Sequence, residues 1–226
     1  MRPSFRIIRW LLPVLGAAAL LVAGAFTVAA PQERPAPQAR VTASALPAPG
    51  IYAIDGVHTF VEFAAQHLVV GMVRGRFDNT GGTITITADP ATCAVNVSIE
   101  AASVSTHNAF RDEDLRSKDF FNAEDHPAIT YQGTGFRRAG DHWTVDGTLT
   151  IRGIAEMVPL VFDFKGKAPK VEGKPDRIAF HATAATKRAD FGMTRELIDE
   201  IGPAHTGPDV WIEIDTEALS TGTSDR

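Results

Sequence analysis

Residues 144–152 read TVDGTLTIR, and this stretch decides the fold class. Val145, Gly147, Leu149 and Ile151 alternate with Thr144, Asp146, Thr148, Thr150 and Arg152. A period of two puts successive side chains on opposite faces of a strand, so one face is apolar and the other polar. The same signal recurs in both directions. Downstream, Leu160, Phe162 and Phe164 alternate with Val161, Asp163 and Lys165. Ile178, Phe180, Ala182 and Ala184 alternate with Ala179, His181, Thr183 and Ala185, and Val210, Ile212 and Ile214 with Trp211, Glu213 and Asp215. Upstream, Ile129 and Tyr131 flank Thr130, and Val95, Val97 and Ile99 alternate with Asn96, Ser98 and Glu100. Ile84 and Ile86 alternate with threonines. Val57, Val61, Phe63 and Ala65 alternate with His58, Glu62 and Gln66, a pattern that Phe60 interrupts. That makes eight amphipathic strands, and MVRGRFD (72–78) adds another.

Turn residues separate these segments. Asp78–Gly82 predicts a tight hairpin, because Asn and Gly tolerate positive φ. Residues 88–90 and 138–141 predict turns, and Gly166–Lys174 predicts a longer hairpin loop in a solvated cluster of lysines. Residues 107–121, HNAFRDEDLRSKDFF, lack alternation; short helical turns are expected there, with Asn108 or Ser117 as caps. Strands with one apolar face need a shared interior. An antiparallel sheet closed on itself supplies one and removes exposed edges. About eight strands is the size at which a barrel either fills with side chains or holds one small ligand. A filled sandwich gives the same alternation, so periodicity alone leaves both open.

The chain has 226 residues, 44% hydrophobic and 22% charged, which excludes collagen-like, disordered and disulfide-stapled classes. The lone Cys93 excludes an intrachain disulfide and reads as a buried, inert thiol. The net charge of −5 is unevenly spread. Residues 1–40 carry five arginines against Glu33, or +4, while the remainder carries 17 basic and 26 acidic side chains, or −9. An acidic body argues against nucleic acid as a partner. Arg2, Arg6 and Arg9 precede the uncharged run Trp10–Ala30, which reads as an export segment in residues 1–30. Both an uncleaved hydrophobic helix anchored in the inner membrane and a cleaved signal peptide remain open. Either places the body in the periplasm. Residues 31–49 hold five of the fourteen prolines and read as an extended linker. The folded domain is expected over 50–219, with a tail at 220–226.

Four ordered motifs carry a family resemblance. The stretch Tyr52-Ala53-Ile54-Asp55-Gly56-Val57-His58-Thr59 is followed by Val61, Phe63 and His67. FRDEDLRSKDFFNAEDHPAITYQGTGF spans Phe110–Phe136, and VDGTLTIRG spans Val145–Gly153. Arg188-Ala189-Asp190-Phe191-Gly192-Met193 precedes Glu200-Ile201-Gly202. Together, over about 51–219, they resemble the YceI-like family. The resemblance implies an all-β fold: a lipocalin-like antiparallel barrel that is exported and binds polyisoprenoid lipids, including long-chain isoprenoid quinones, in its interior. Asp114 stands where the family motif commonly has histidine, and Thr59 where serine is usual.

The expected role is therefore non-enzymatic binding of a polyisoprenoid or quinone, for storage or transport. The alternative is a filled barrel acting as a structural or interaction module for an envelope redox complex. The ligand-binding residues implied, in the barrel interior or at its mouth, are Phe63, His67, Phe77, Phe110, Phe121, Leu149, Phe162, Phe164, Phe180 and Phe191. His67 shares parity with Phe63 and Ala65, so an inward imidazole is expected, bonded to a quinone carbonyl or to nearby backbone. Asp55, Arg188 and Asp190 read as a structural ion pair pinning barrel closure. The seven histidines show neither HExxH nor close His–His spacing, so no metal site and no cofactor beyond the lipid is expected. No G-x-S-x-G elbow, P-loop or Rossmann fingerprint is present, so no catalytic residues are assigned. Membrane contact through the N-terminal run is expected if that run is uncleaved, and a dimer is left open.

Overall fold

A computed structural model describes residues 45–68, 70–195 and 206–221. The export segment, most of the linker, most of the tail and the Glu200-Ile201-Gly202 motif lie outside the described residues. Among the described residues, no helix is long and apolar enough to cross a membrane. In chain order the elements are β1 (Gly50–His67), β2 (Gly71–Phe77), β3 (Thr80–Ile86), β4 (Ala94–Glu100), β5 (Val104–Ser105) and α1 (Ala109–Arg116). There follow β6 (Ala128–Thr134), β7 (Arg137–Ala139), β8 (His142–Ile151), β9 (Ile154–Lys167), β10 (Arg177–Lys187) and β11 (Thr206–Ser220).

Neighbouring strands run β11-β10-β9-β8-β6-β4-β3-β1, and β1 pairs back onto β11. The result is a closed, eight-stranded antiparallel barrel, with no free edge along that ring. Closure decides between the two architectures that alternation left open. The short strand β7 pairs with β8, and β5 pairs with β2.

β1 does most to shape the barrel. Its first residues, 50–53, pair with β3, and residues 61–67 pair with β2 along the same edge. Its other edge pairs with β11 throughout. Between the Ile54–Ala218 and Thr59–Thr216 pairs, β1 carries four residues and β11 one, so 55–58 form a large bulge. The sequence makes this bulge locally. The Val57 N–H donates to the Asp55 carboxylate (3.2 Å), and the Thr59 hydroxyl donates to the Asp55 carbonyl (2.8 Å). A Cβ on Gly56 would lie 2.5 Å from the Thr80 carbonyl oxygen, so only glycine lets β3 begin so close.

The bulge corrects two sequence expectations. It resets the strand's parity, leaving Val57 82% exposed rather than inward, while Thr59, Val61, Phe63, Ala65 and His67 line the interior. Asp78–Gly82 is not a hairpin either. β2 and β3 do not pair with each other; both run along β1, and Asp78-Asn79 is the jog between them. The jog is held by Asp78 N–H to the Ser103 carbonyl (3.1 Å) and Glu100 N–H to the Asn79 carbonyl (3.0 Å).

One end of the barrel is plugged. There Phe136, Phe162, Phe180 and Phe164 form a chain of rings with centroid separations of 4.9, 6.1 and 5.4 Å. Buried Ile86, Cys93, Trp143, Ile178 and Ala218 surround them. At the other end, α1 and the 188–195 segment cover part of the opening. Asn108 caps α1 by accepting from the Arg111 N–H (3.1 Å). Buried Asp112 accepts from the Thr106 N–H (2.8 Å) and hydroxyl (2.6 Å). Arg116 donates to the carbonyls of Ala102 (2.7 Å) and Val104 (2.9 Å), fastening the helix to β5. The mixed charges of this segment thus serve to seat a helix over the barrel end.

Candidate functional site: the barrel lumen

Inward-facing side chains from all eight barrel strands leave a continuous cavity of about 430 Å³. That volume lies within the range of ligand pockets. Its wall is almost wholly aliphatic and aromatic, built by the alternating residues of the strands: Ile84, Val95, Ile99, Val145, Leu149 and Ile212 are representative. Phe162, Phe180 and Phe136 form its floor. Phe63, Phe77 and Phe121 pack at tilted and edge-to-face angles near the helix end, with centroids 5.6 and 5.4 Å apart. The cavity reaches the surface at Phe110 and His67, both exposed.

Few polar side chains interrupt this wall, and most have partners; the buried Thr80 hydroxyl has none among the described residues. The Thr59 and Thr216 hydroxyls lie 2.8 Å apart, and Thr59 also donates to backbone. The Tyr131 hydroxyl reaches the carbonyls of Val145 (3.2 Å) and Val158 (3.0 Å), passing over Gly147. Burial pushes the Tyr131 phenol well above the ordinary tyrosine range. At the mouth, Arg111 donates to the Thr106 hydroxyl (2.8 Å) and carbonyl (3.0 Å). Buried Arg188 donates to the Met193 carbonyl (3.2 Å) and to that of Arg195. The guanidinium groups of Arg188 and Arg195 lie 5.6 and 5.8 Å from the Phe120 ring centre.

Nine of the ten residues singled out from the sequence lie on the cavity wall: Phe63, His67, Phe77, Phe110, Phe121, Leu149, Phe162, Phe180 and Phe191. Phe164 does not. It shares the inward face, opposite Phe180 in the β9–β10 pairing, but it packs behind that ring. Alternation gives the face and not the height along the axis, so it marks Phe164 as well. Tyr131 and Phe136 were not singled out as lining. Tyr131 shares a face with Ile129, a signal that was available; Phe136 lies beyond β6, where no periodicity marks it.

The motif carboxylates find other partners than expected. Asp55 pairs with Arg177 (2.8 Å) and with His58 (2.9 Å), not with Arg188. Arg177 on β10 also pairs with Glu217 on β11, so one guanidinium ties three consecutive strands at the closure seam. Above all the His58 hydrogen bond, and then Arg177, hold the Asp55 carboxyl below its usual range. Arg188 instead organises backbone at the mouth. Asp114 accepts from Arg195 (2.8 Å), which also binds Asp119 (2.8 Å), so the carboxylate at the family's histidine position is used in an ion pair.

Among the described residues, two clusters have the donor types of a metal site. In Asp55, His58 and Glu217 the cation is supplied by Arg177. His181, Glu213 and Asp215 lie on the outer face, where His181 Nδ1 is 2.9 Å from the Asp215 carboxylate. Neither faces the lumen.

The YceI-like domain model matches residues 52–218. Protein YceI of Escherichia coli O157:H7 is 35% identical over 167 residues, covering 73% of this chain and 85% of that protein. Among solved structures, Burkholderia cenocepacia BcnA superposes with a TM-score of 0.62 at 20% identity, over 74% of this chain and 99% of that one. A polyisoprenoid binding domain from Saccharophagus degradans superposes with a TM-score of 0.57 at 16% identity, over 75% and 98%. With closed barrel, motifs and sequence relatives in agreement, the chain belongs to the YceI-like family.

Proposed function

We infer that the barrel binds one long isoprenoid chain, a polyisoprenoid lipid or the tail of an isoprenoid quinone, and does no chemistry on it. The observation that carries this is the lumen itself: one apolar space, floored by aromatic rings and open at one end. Lining about 430 Å³ with apolar groups, rather than packing them together, forgoes roughly 10 kcal/mol at 24 cal/mol per Å³. That equals the net stability of an ordinary domain, and a bound apolar chain restores the lost contacts. The polyisoprenoid binding domain of Saccharophagus degradans shares the architecture and supports the choice of ligand class.

The same reading places the protein outside the cytoplasm, with the run Trp10–Ala30 as signal or anchor and storage or transport of the lipid as its task. A filled barrel serving as a structural module is the competing idea, and the cavity volume speaks against it. The test is mass spectrometry of an organic extract of the protein purified from its exporting host, together with titration of added quinone. A co-purified long-chain isoprenoid or saturable quinone binding is expected. The absence of both an extractable lipid and quinone binding would overturn the assignment.

A further inference from the structure

The helix end of the barrel carries apolar side chains that the fold does not use. In the tip between β1 and β2, Val70 is 91% exposed and Leu68 46%; Met72, at the start of β2, is 46% exposed. Phe110, in the first turn of α1, is 88% exposed. These residues stand around the opening of the lumen. His67 and Val73, which flank the tip, line the cavity, and Phe110 belongs to the cavity wall and the outer surface at once.

Nothing in the tip's own geometry calls for them. Leu68 sits in the left-handed region (φ 48°), where a side chain without a polar end costs roughly 1–2 kcal/mol and Gly or Asn is the usual occupant. A β-branched valine at a solvated turn likewise adds nothing to folding. Single exposed apolar residues are ordinary, but four around one opening form a patch.

We propose that this end of the barrel docks on a lipid bilayer, with Leu68, Val70, Met72 and Phe110 entering the boundary between headgroups and acyl chains. The proposal rests on the lumen holding an isoprenoid chain. Such chains reside in bilayers, and moving 20 of their carbons through water costs roughly 16 kcal/mol at about 0.8 per carbon. A mouth whose rim is itself apolar lets the chain pass from bilayer to lumen without that exposure. Arg74, exposed two residues beyond Met72, is placed to reach lipid phosphates from the same strand.

The test uses the full chain with vesicles of phosphatidylethanolamine and phosphatidylglycerol. An environment-sensitive NBD label is placed at Val70→Cys, or at Val171→Cys in the β9–β10 loop at the plugged end; Cys93 is fully buried. A blue shift and quenching by brominated lipid at position 70 but not at 171 is expected. Aqueous emission at 70, or equal shifts at both, would overturn docking by this end. The second arm is Leu68→Asp/Val70→Asp, neither residue being part of the cavity wall. It should slow transfer of a vesicle-held isoprenoid quinone at least tenfold and leave equilibrium binding of the same quinone in detergent unchanged. Unchanged transfer would overturn the loading role. If the detergent titration shows no binding at all, the lumen assignment fails, and the position-70 label still decides docking by itself.

Discussion

Ala182 is buried on β10, opposite Phe162 on β9 and Ile214 on β11, and its methyl group forms part of the lumen wall. Ala182→Phe places a ring in the path of a bound chain. The ring takes roughly 100 Å³, estimated from close-packed interior volumes, out of a lumen of about 430 Å³. That space equals about one isoprene unit. Five carbons removed from apolar contact, at about 0.8 kcal/mol each, forfeit roughly 4 kcal/mol, or close to three decades in affinity. A chain that slides toward the mouth recovers part of this, so the expected loss is at least tenfold. The fold should not suffer, since filling apolar space commonly adds about 0.5–2 kcal/mol. The assay pairs equilibrium titration of an isoprenoid quinone with thermal unfolding. Ala185→Phe is the control: it lies on the exposed face of the same strand, opposite Trp211, and should change neither readout. Ala182→Phe that folds normally and binds as tightly as the parent would refute the placement of the chain in the lumen.

Three further outcomes follow from the geometry. The chain's two tyrosines, Tyr52 and Tyr131, both have phenols raised by burial, so the native state keeps protons that the unfolded chain releases above about pH 10. Stability is then present below that pH and lost above it, and phenolate absorbance should rise together with loss of the β-sheet circular dichroism; an independent titration near pH 10 in folded protein would contradict this. The Asp55 carboxyl is lowered, first by His58 and then by Arg177, so its contribution is present above about pH 4 and lost as pH falls through the folded value. Asp55→Asn should reduce stability at neutral pH and flatten the acid limb of the stability profile, and an unchanged acid limb would remove Asp55 from the seam. A Cβ at Gly147 would lie 2.3 Å from the Tyr131 ring, so Gly147→Ala must displace the tyrosine and its two carbonyl contacts. A loss of about 2–4 kcal/mol in urea unfolding is expected, and a loss under about 0.5 would show that the ring is not wedged there.

Much of the barrel is legible in strands such as 144–152, where strict alternation names the inward residues one by one. Closure is not, because sandwich and barrel share that period; only the pairing of β1 with β11 separates them. The bulge at 55–58 is also hidden. Its turn-forming residues, Asp55, Gly56 and Thr59, are readable, but the parity reset that turns Val57 outward depends on where β3 stops and β2 takes over. Ring positions along the axis were legible in part: Phe180 and Phe164 share a face, yet only the first reaches the lumen. Asp55 was recognisable as an ion-pair residue through its motif. Its partner Arg177 follows a long loop and belongs to no motif, so no spacing rule connected them. Exposure at the β1–β2 tip was unreadable for the same reason, since Leu68 and Val70 look in sequence like any other core residues, whereas Phe110 stands in a motif segment that the resemblance puts at the interior or mouth.

Photo-crosslinking tests the central claim most directly. A polyprenyl probe with a photoreactive diazirine near its end is bound to the full chain and irradiated, and the adducts are mapped by peptide mass spectrometry. A chain in the lumen labels inward residues between mouth and floor, among them Val145, Leu149, Ala182 and Phe180. Adducts confined to outward residues such as Trp211 and Met157, or labelling that excess unlabelled quinone does not compete away, would contradict it.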